Sequence, residues 1–255
     1  MILVEWFLWL IAYSFLGWVY ESTLCSIKEK QIVNRGFLNS PVCPVYGFGS
    51  LALIFLLYQR IDNVVILFFA SMLITCIVEY ATSVLLEKLF HAKWWDYSRH
   101  HFNIQGRVSL FVAMIFGTMS IVIIKYIHPF LSSKIAQLPD WVQIVFSVVI
   151  FILLMVDLYV TVTHLLALKG RLEEVQSAIN EFLEEHAKRA GELKHALLDK
   201  LEESEFYSDH IKSLLSINKF HNRRIVRAFP KLRYIKYDDA WQKLKSTLLG
   251  KDDTE

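Results

Sequence analysis

The run VQIVFSVVIFILLMVDLYVTVTHLLAL, residues 142–168, decides the class of fold, because it carries a single charged side chain, Asp157. A helix rises about 1.5 Å per residue and the hydrocarbon of a bilayer is about 30 Å thick, so roughly 20 apolar residues suffice to cross it. This run is long enough. Working outward from it, four further apolar stretches stand in the chain: Ile2 to Tyr20, Val45 to Tyr58, Val64 to Leu86 and Leu110 to Ile127. The second is short and needs the residues around Val42 and Pro44 to reach across. The expected fold is all-α, a polytopic membrane bundle of about five transmembrane helices over residues 1–168, followed by a helical cytoplasmic tail over residues 169–255.

Composition agrees with that division. The chain of 255 residues is 55% hydrophobic, with a mean hydropathy of +0.38. Charge is uneven: of 27 Lys and Arg, 10 lie before residue 169 and 17 after, and of 25 acids the split is 9 and 16. Two physical regimes meet near Leu168. The N-terminus has no basic region followed by a small-residue cleavage site, so a cleaved signal peptide is not expected. Cys25, Cys43 and Cys76 show neither metal-ligand spacing nor a disulfide framework and read as structural. No metal and no cofactor is expected.

Short loops rich in Lys and Arg are retained on the cytoplasmic side. Lys28, Lys30 and Arg35 lie in one loop, and Lys88, Lys93, Arg99 and Arg107 in another; the opposite side holds Arg60, Lys125 and Lys134. The count places the protein in the cell membrane with its N-terminus outside and its tail inside.

Past Leu168 the pattern becomes amphipathic, with Leu172, Val175, Ile179, Phe182, Ala190, Leu193, Leu197 and Leu201 spaced mainly by three and four. Such a stripe must be buried, either in a coiled coil that joins two copies or in a helical hairpin on the protein's own cytoplasmic face. Residues 219–236 then carry seven basic side chains and no acid. That segment reads as an anionic-lipid contact, a partner-docking segment or a solvated helix face. Nucleic acid is a poor partner for it, because the tail as a whole is nearly balanced in charge.

Ionisable groups within an apolar span need a partner, a water-filled cavity or a function. Glu79, Ser83 and Glu87 recur every four residues and so share one helix stripe. Glu21 ends the first span, and Arg35 and Arg107 are natural counter-charges for these carboxylates. Asp96 and Asn103 lie in the loop that ends at Arg107. The candidate polar site at the cytoplasmic mouth is therefore Glu21, Arg35, Glu79, Ser83, Glu87, Asp96, Asn103 and Arg107. The bland alternative is a set of structural ion pairs that fix loop to helix. Trp18, Trp94, Trp95 and Tyr97 suit the headgroup level. Asp157 and His164 are intramembrane polar groups, either members of a relay with Thr161 or hydrogen-bonded to a neighbouring helix.

No Walker A, His-Glu-x-x-His, Gly-x-Ser-x-Gly or Cys-x-x-Cys sequence occurs. ATP hydrolysis by the phosphate-loop mechanism is excluded, and an enzyme is the less favoured reading. The combination Gly17-Trp18-x-x-Glu21, Arg35-Gly36-Phe37-x-x-x-Pro41-x-x-Pro44-x-Tyr46-Gly47, Glu79-Tyr80-x-x-Ser83, Trp94-Trp95-Asp96-Tyr97 and Asn103-x-x-Gly106-Arg107 resembles the bacterial type IV ABC-transporter permease family of CmpB type. The resemblance covers about Trp6 to Leu168. The segment Arg223 to Pro230 also looks like that family's ending. The resemblance implies a permease-like membrane subunit of a transport complex, with a separate ATPase as partner; with so few spans, either a second copy joined through the tail or a partner membrane subunit is then required. The alternatives are a membrane-embedded enzyme or lipid-binding protein acting at the inner leaflet, and a membrane scaffold or sensor with a coiled-coil tail.

Overall fold

A computed structural model describes residues 1–190 and 219–249. It is an all-α membrane helix bundle with four helices long and apolar enough to cross a bilayer: Ile2–Glu29, Val64–Phe90, Leu110–Ala136 and Asp140–Glu184. The chain divides into two compact units, Met1–Leu86 with Trp95–Val162, and Glu87–Trp94 with Thr163–Glu255.

In the first unit, α1 (Ile2–Glu29) runs nine residues beyond the apolar stretch and stops where Lys30 turns left-handed, at φ 51°. The helix α2 (Pro44–Leu57) starts with a proline in its first turn, where the missing N–H costs nothing. Its 14 residues span only about 21 Å, short of the hydrocarbon thickness. Irregular backbone leads into α2. The Cys43 N–H donates to Ser14 O at 2.9 Å, and Ser14 lies 15 residues before the end of α1, or about 22 Å back along it. Residues 30–43 therefore fold back along α1 before α2 begins. Non-helical backbone survives at that depth only where protein satisfies its polar groups.

Asp157 does this from the longest helix. It accepts the Ser40 N–H at 2.7 Å and the Asn39 N–H and Nδ2 at 3.1 and 2.8 Å, and Thr161 adds a contact to Asn39 at 3.0 Å. The partner of Asp157 is thus a loop rather than a neighbouring helix.

The helix α3 (Val64–Phe90) is capped by Asn63, whose Oδ1 accepts from Val65 and Ile66. Strands β1 (Ala92–Lys93), β2 (Asn103–Ile104) and β3 (Val108–Ser109) follow, with β2 and β3 paired antiparallel. Ser109 caps α4 (Leu110–Val122), which passes through a π turn (Ile123–Ile127) into α5 (His128–Ala136). Leu53, Leu57, Leu67 and Ile124 pack together at one end of the unit. Serines within the spans return their hydroxyls to their own helix, as Ser71 does to Leu67 O and Ser120 to Phe116 O. Phe69, Leu73, Ile77, Phe146 and Leu153 stand exposed on the spans, as side chains facing lipid do.

The second unit is built on the lower part of α6 (Asp140–Ala190), with α7 (Lys219–Ala228), β4 (Arg233–Tyr234) and α8 (Asp238–Leu249). Leu172, Val175, Ile179 and Phe182 are buried within a single copy of the chain. Gln176 fixes this arrangement, donating to Asp239 and accepting the Ala240 N–H, each at 3.1 Å. Trp241 is fully enclosed and donates to Leu232 O at 2.8 Å. β4 pairs antiparallel with β1, Ala92 opposite Tyr234 and Lys93 opposite Arg233. The last members of the apolar stripe, from Ala190 to Leu201, lie outside the residues whose side chains are described.

Candidate functional site

Close packing of α1 on α2 brings the first polar groups together. A Cβ on Gly17 would overlap the Tyr46 ring, and one on Gly47 would overlap Ser14 Oγ. Only glycine allows this approach. Tyr46 is thereby aimed at Glu21, to which it donates at 2.5 Å. The second oxygen of Glu21 meets Arg35 Nε at 3.5 Å. These two side chains are only 31% and 22% exposed, so the pair is screened far less than a surface one.

Arg35 is held by its own backbone, whose N–H donates to Ser22 Oγ at 3.1 Å. Asn34 braces the same turn: its Oδ1 accepts Trp18 Nε1 at 2.7 Å and the Gly36 N–H at 2.9 Å. Trp18 thus has a hydrogen-bonding role besides its amphipathic one.

Glu79 is buried on α3. Its hydrogen bond comes from the Tyr97 hydroxyl rather than from Arg35 or Arg107. Its Oε2 is buried with no hydrogen-bond partner among the described residues. Burial, followed by the carboxylates of Glu79 and Glu21, pushes the Tyr97 phenol far above its usual range, with Arg35 opposing. Tyr97 therefore stays a proton donor at any physiological pH.

Tyr97 is positioned by a folded loop. Its N–H donates to Gly106 O at 2.8 Å, Gly106 adopts φ 68°, and a side chain there would strike Asp96 and Ser98. Asn103 holds the loop from inside, donating to His100 O at 2.8 Å and accepting the Gly106 N–H at 2.9 Å. Asp96 accepts from the Ser98 N–H and hydroxyl. Asp96 and Asn103 thus shape the loop that carries Tyr97. Arg107 donates to Ser83 at 3.0 Å, lies 5.7 Å from the Tyr80 ring centroid, and offers its carbonyl to Trp95 Nε1 at 2.9 Å.

Four of the remaining residues lie elsewhere. Glu87 and Trp94 belong to the second unit, where Trp94 is buried edge-on against Phe229. His164, also in that unit, hydrogen-bonds to Asn222 at 3.1 Å. Asp157 serves the loop at Asn39 and Ser40.

Tyr46 as a carboxylate partner and Tyr97 as a buried donor escape sequence reasoning, since nothing in a tyrosine's neighbours tells which carboxylate it will meet. A further polar contact, Tyr13 with His128 Nδ1 at 3.1 Å, lies within the spans. His128 is a single histidine in an apolar helix and carries no pattern of its own.

These features define a polytopic α-helical membrane protein with a buried cluster of carboxylates, phenols and a guanidinium. The chain belongs to the family described as Putative ABC-transporter type IV, of CmpB type, which matches residues 8–162. It is a membrane protein of an ABC-transporter-type family. No curated protein and no solved structure matches it.

Proposed function

We propose that this chain is the permease-like subunit of an ABC-type transport complex, energised by a separate ATPase, with its tail on the cytoplasmic side. The observation that carries the reading is the half-length helix α2, entered by irregular backbone and bearing Tyr46 in its first turn against Glu21. Broken helices of this kind put polar backbone and side chains inside a bundle, where a ligand can reach them. The uncommitted oxygen of Glu79 is the point at which a donor on such a ligand would bind. Tyr97 and Tyr46 supply hydroxyls beside the two carboxylates, and Arg35 balances one negative charge.

Two measurements test this. Affinity purification of the full chain from its native membrane is expected to bring down an ATP-hydrolysing partner. Cysteines placed one at a time at positions 46, 79 and 97 are expected to react with a water-soluble, membrane-impermeant thiol reagent added from one side. A chain purified intact with no such partner, and inert at all three positions, would overturn the proposal. A protein reactive at those positions but without the partner would instead favour a lipid-binding or enzymatic site at the inner leaflet.

A further inference from the structure

The second unit carries a basic surface close in sequence to the ends of two apolar runs. β1 begins two residues after Phe90, where the apolar helix α3 ends, and Lys169 is the first charged residue after the apolar run 142–168. Both points are where an apolar run gives way to polar chain. β4 is paired with β1, and the Ile235 N–H extends the ladder to His91 O at 3.1 Å. Successive side chains of a strand point to opposite faces. Tyr234 accordingly is fully buried, while Arg233 and Ile235 stand on the outer face, Ile235 half exposed.

Lys231 and Lys236 flank this pair and are exposed. Burial, and after it the charges of Lys169 and Lys236, disfavour protonation of His91, with Glu173 opposing. Arg233 is braced by Asp238 at 3.1 Å. Lys231, Arg233 and Lys236 thus stand within six residues of one another beside an exposed isoleucine, in a segment with seven basic residues and no acid between 219 and 236. Asp238 meets one of these charges, and a bound anion would offset the others.

We propose that Lys231, Arg233, Ile235, Lys236, His91 and Lys169 form a docking surface for anionic lipid headgroups, with the cations meeting the phosphate and Ile235 entering the acyl boundary. Three features favour lipid over an acidic protein. His91 and Lys169 each follow directly on an apolar run of the chain, where the charged flank of a span is found. Ile235, half exposed, offers an apolar side chain between Arg233 and Lys236. Three of its four cations, Lys169, Lys231 and Lys236, are lysines, which bind phosphate as point charges without demanding a fixed geometry. A basic residue near an anionic membrane surface is worth a few-fold in affinity, so losing three is expected to weaken binding roughly 100-fold.

The test uses the full chain purified in a neutral detergent. Thermal stability and lipid retention by native mass spectrometry are compared on adding phosphatidylglycerol, phosphatidylcholine or inorganic phosphate. Phosphatidylglycerol is expected to raise the melting temperature and remain bound where phosphatidylcholine does not. The triple variant Lys231→Gln, Arg233→Gln, Lys236→Gln is expected to lose that preference while melting normally in phosphatidylcholine. Arg233 also pairs with Asp238, so the double variant Lys231→Gln, Lys236→Gln carries the test should the triple variant fail to fold. Ile235→Ser is expected to weaken lipid retention alone. Equal retention of phosphatidylglycerol by wild type and double variant would overturn the proposal. So would a stabilisation by inorganic phosphate that matches the lipid, or an acidic peptide that phosphatidylglycerol fails to displace.

Discussion

Asp157 accepts the backbone N–H of Ser40 at 2.7 Å across 117 residues of sequence. A carboxylate is suited to this position because it has only acceptors to offer and the loop presents three donors from Asn39 and Ser40. In Asp157→Asn one oxygen can still receive Asn39, but an amide now faces the Ser40 N–H. A loss of about 2–3 kcal/mol is expected, the worth of a charge-assisted hydrogen bond plus an unsatisfied donor. Thermal unfolding in detergent measures it, and a cysteine at position 39 should label faster in the variant. Unchanged stability together with unchanged labelling would refute the anchoring role.

Two glycines two residues apart in α2 meet different surroundings, Gly47 facing α1 and Gly49 facing α3. A Cβ at Gly47 would lie 2.6 Å from Leu10 O, a backbone atom that cannot step aside, whereas one at Gly49 meets only Val78 Cγ1 at 3.9 Å. Gly47→Ala is therefore expected to destabilise by about 1–3 kcal/mol through overpacking. Gly49→Ala should be neutral or stabilise by up to about 1 kcal/mol, the usual gain from removing a mid-helix glycine. Melting temperatures of the two variants decide it, and equal effects would contradict the close approach of α1 and α2.

Glu79 and Tyr97 are expected to be coupled. Glu79→Gln keeps the shape of the side chain and removes its charge, while Tyr97→Phe removes only the donor. A double-mutant cycle on stability should return an interaction of about 1–3 kcal/mol, the range for residues sharing one hydrogen bond. If Glu79 serves a ligand, Glu79→Gln folds normally and loses function in a cellular assay. If it serves the fold, stability falls and function follows stability. A cycle summing to zero would separate the two residues.

The apolar runs were legible because hydropathy and length are local quantities, and the positions of α3, α4 and α6 follow from them almost directly. The end of α1 was not: its last turn carries Ser26, Lys28 and Glu29, which read as loop, yet helix continues until Lys30 takes a positive φ. The shortness of α2 was visible in sequence, but the anchoring of the loop before it was not, because Asn39 and Asp157 are 118 positions apart. The same holds for the site. A stripe of Glu79 and Ser83 can be read from spacing of four, whereas the assignment of Tyr97 to Glu79 and of Arg107 to Ser83 depends on how a sixteen-residue loop folds around Asn103 and Gly106.

Sidedness is the fourth expectation, motivated by the Lys and Arg asymmetry between loops. In a background lacking Cys25, Cys43 and Cys76, cysteines at positions 30 and 93 and in the tail should label from the cytoplasmic side, and one at position 132 from the other. External labelling at position 93 would reverse the orientation.

The tail offers a fifth. Trp241 is wholly enclosed and hydrogen-bonded, so Trp241→Ala is expected to cost about 3–5 kcal/mol. Limited proteolysis of the full chain should then cut between residues 219 and 249 many times faster than in wild type. A tail equally resistant in the variant would show that Trp241 does not hold it together.

The π turn at Ile123–Ile127 has a consequence for rotation. Each residue of an α-helix advances about 100° around the axis, and a π turn accommodates one residue beyond the α-helical count. The His128 N–H bonds Ile123 O across five positions, so every side chain that follows is set about one residue out of phase with those before. That phase points His128 at Tyr13 and between the rings of Trp9 and Tyr58. Deleting a single residue within 123–127 would restore a uniform helix and swing the imidazole about a quarter of a turn away. The insertion thus acts as an angular offset, fixing the azimuth of α5 independently of the helix that leads into it.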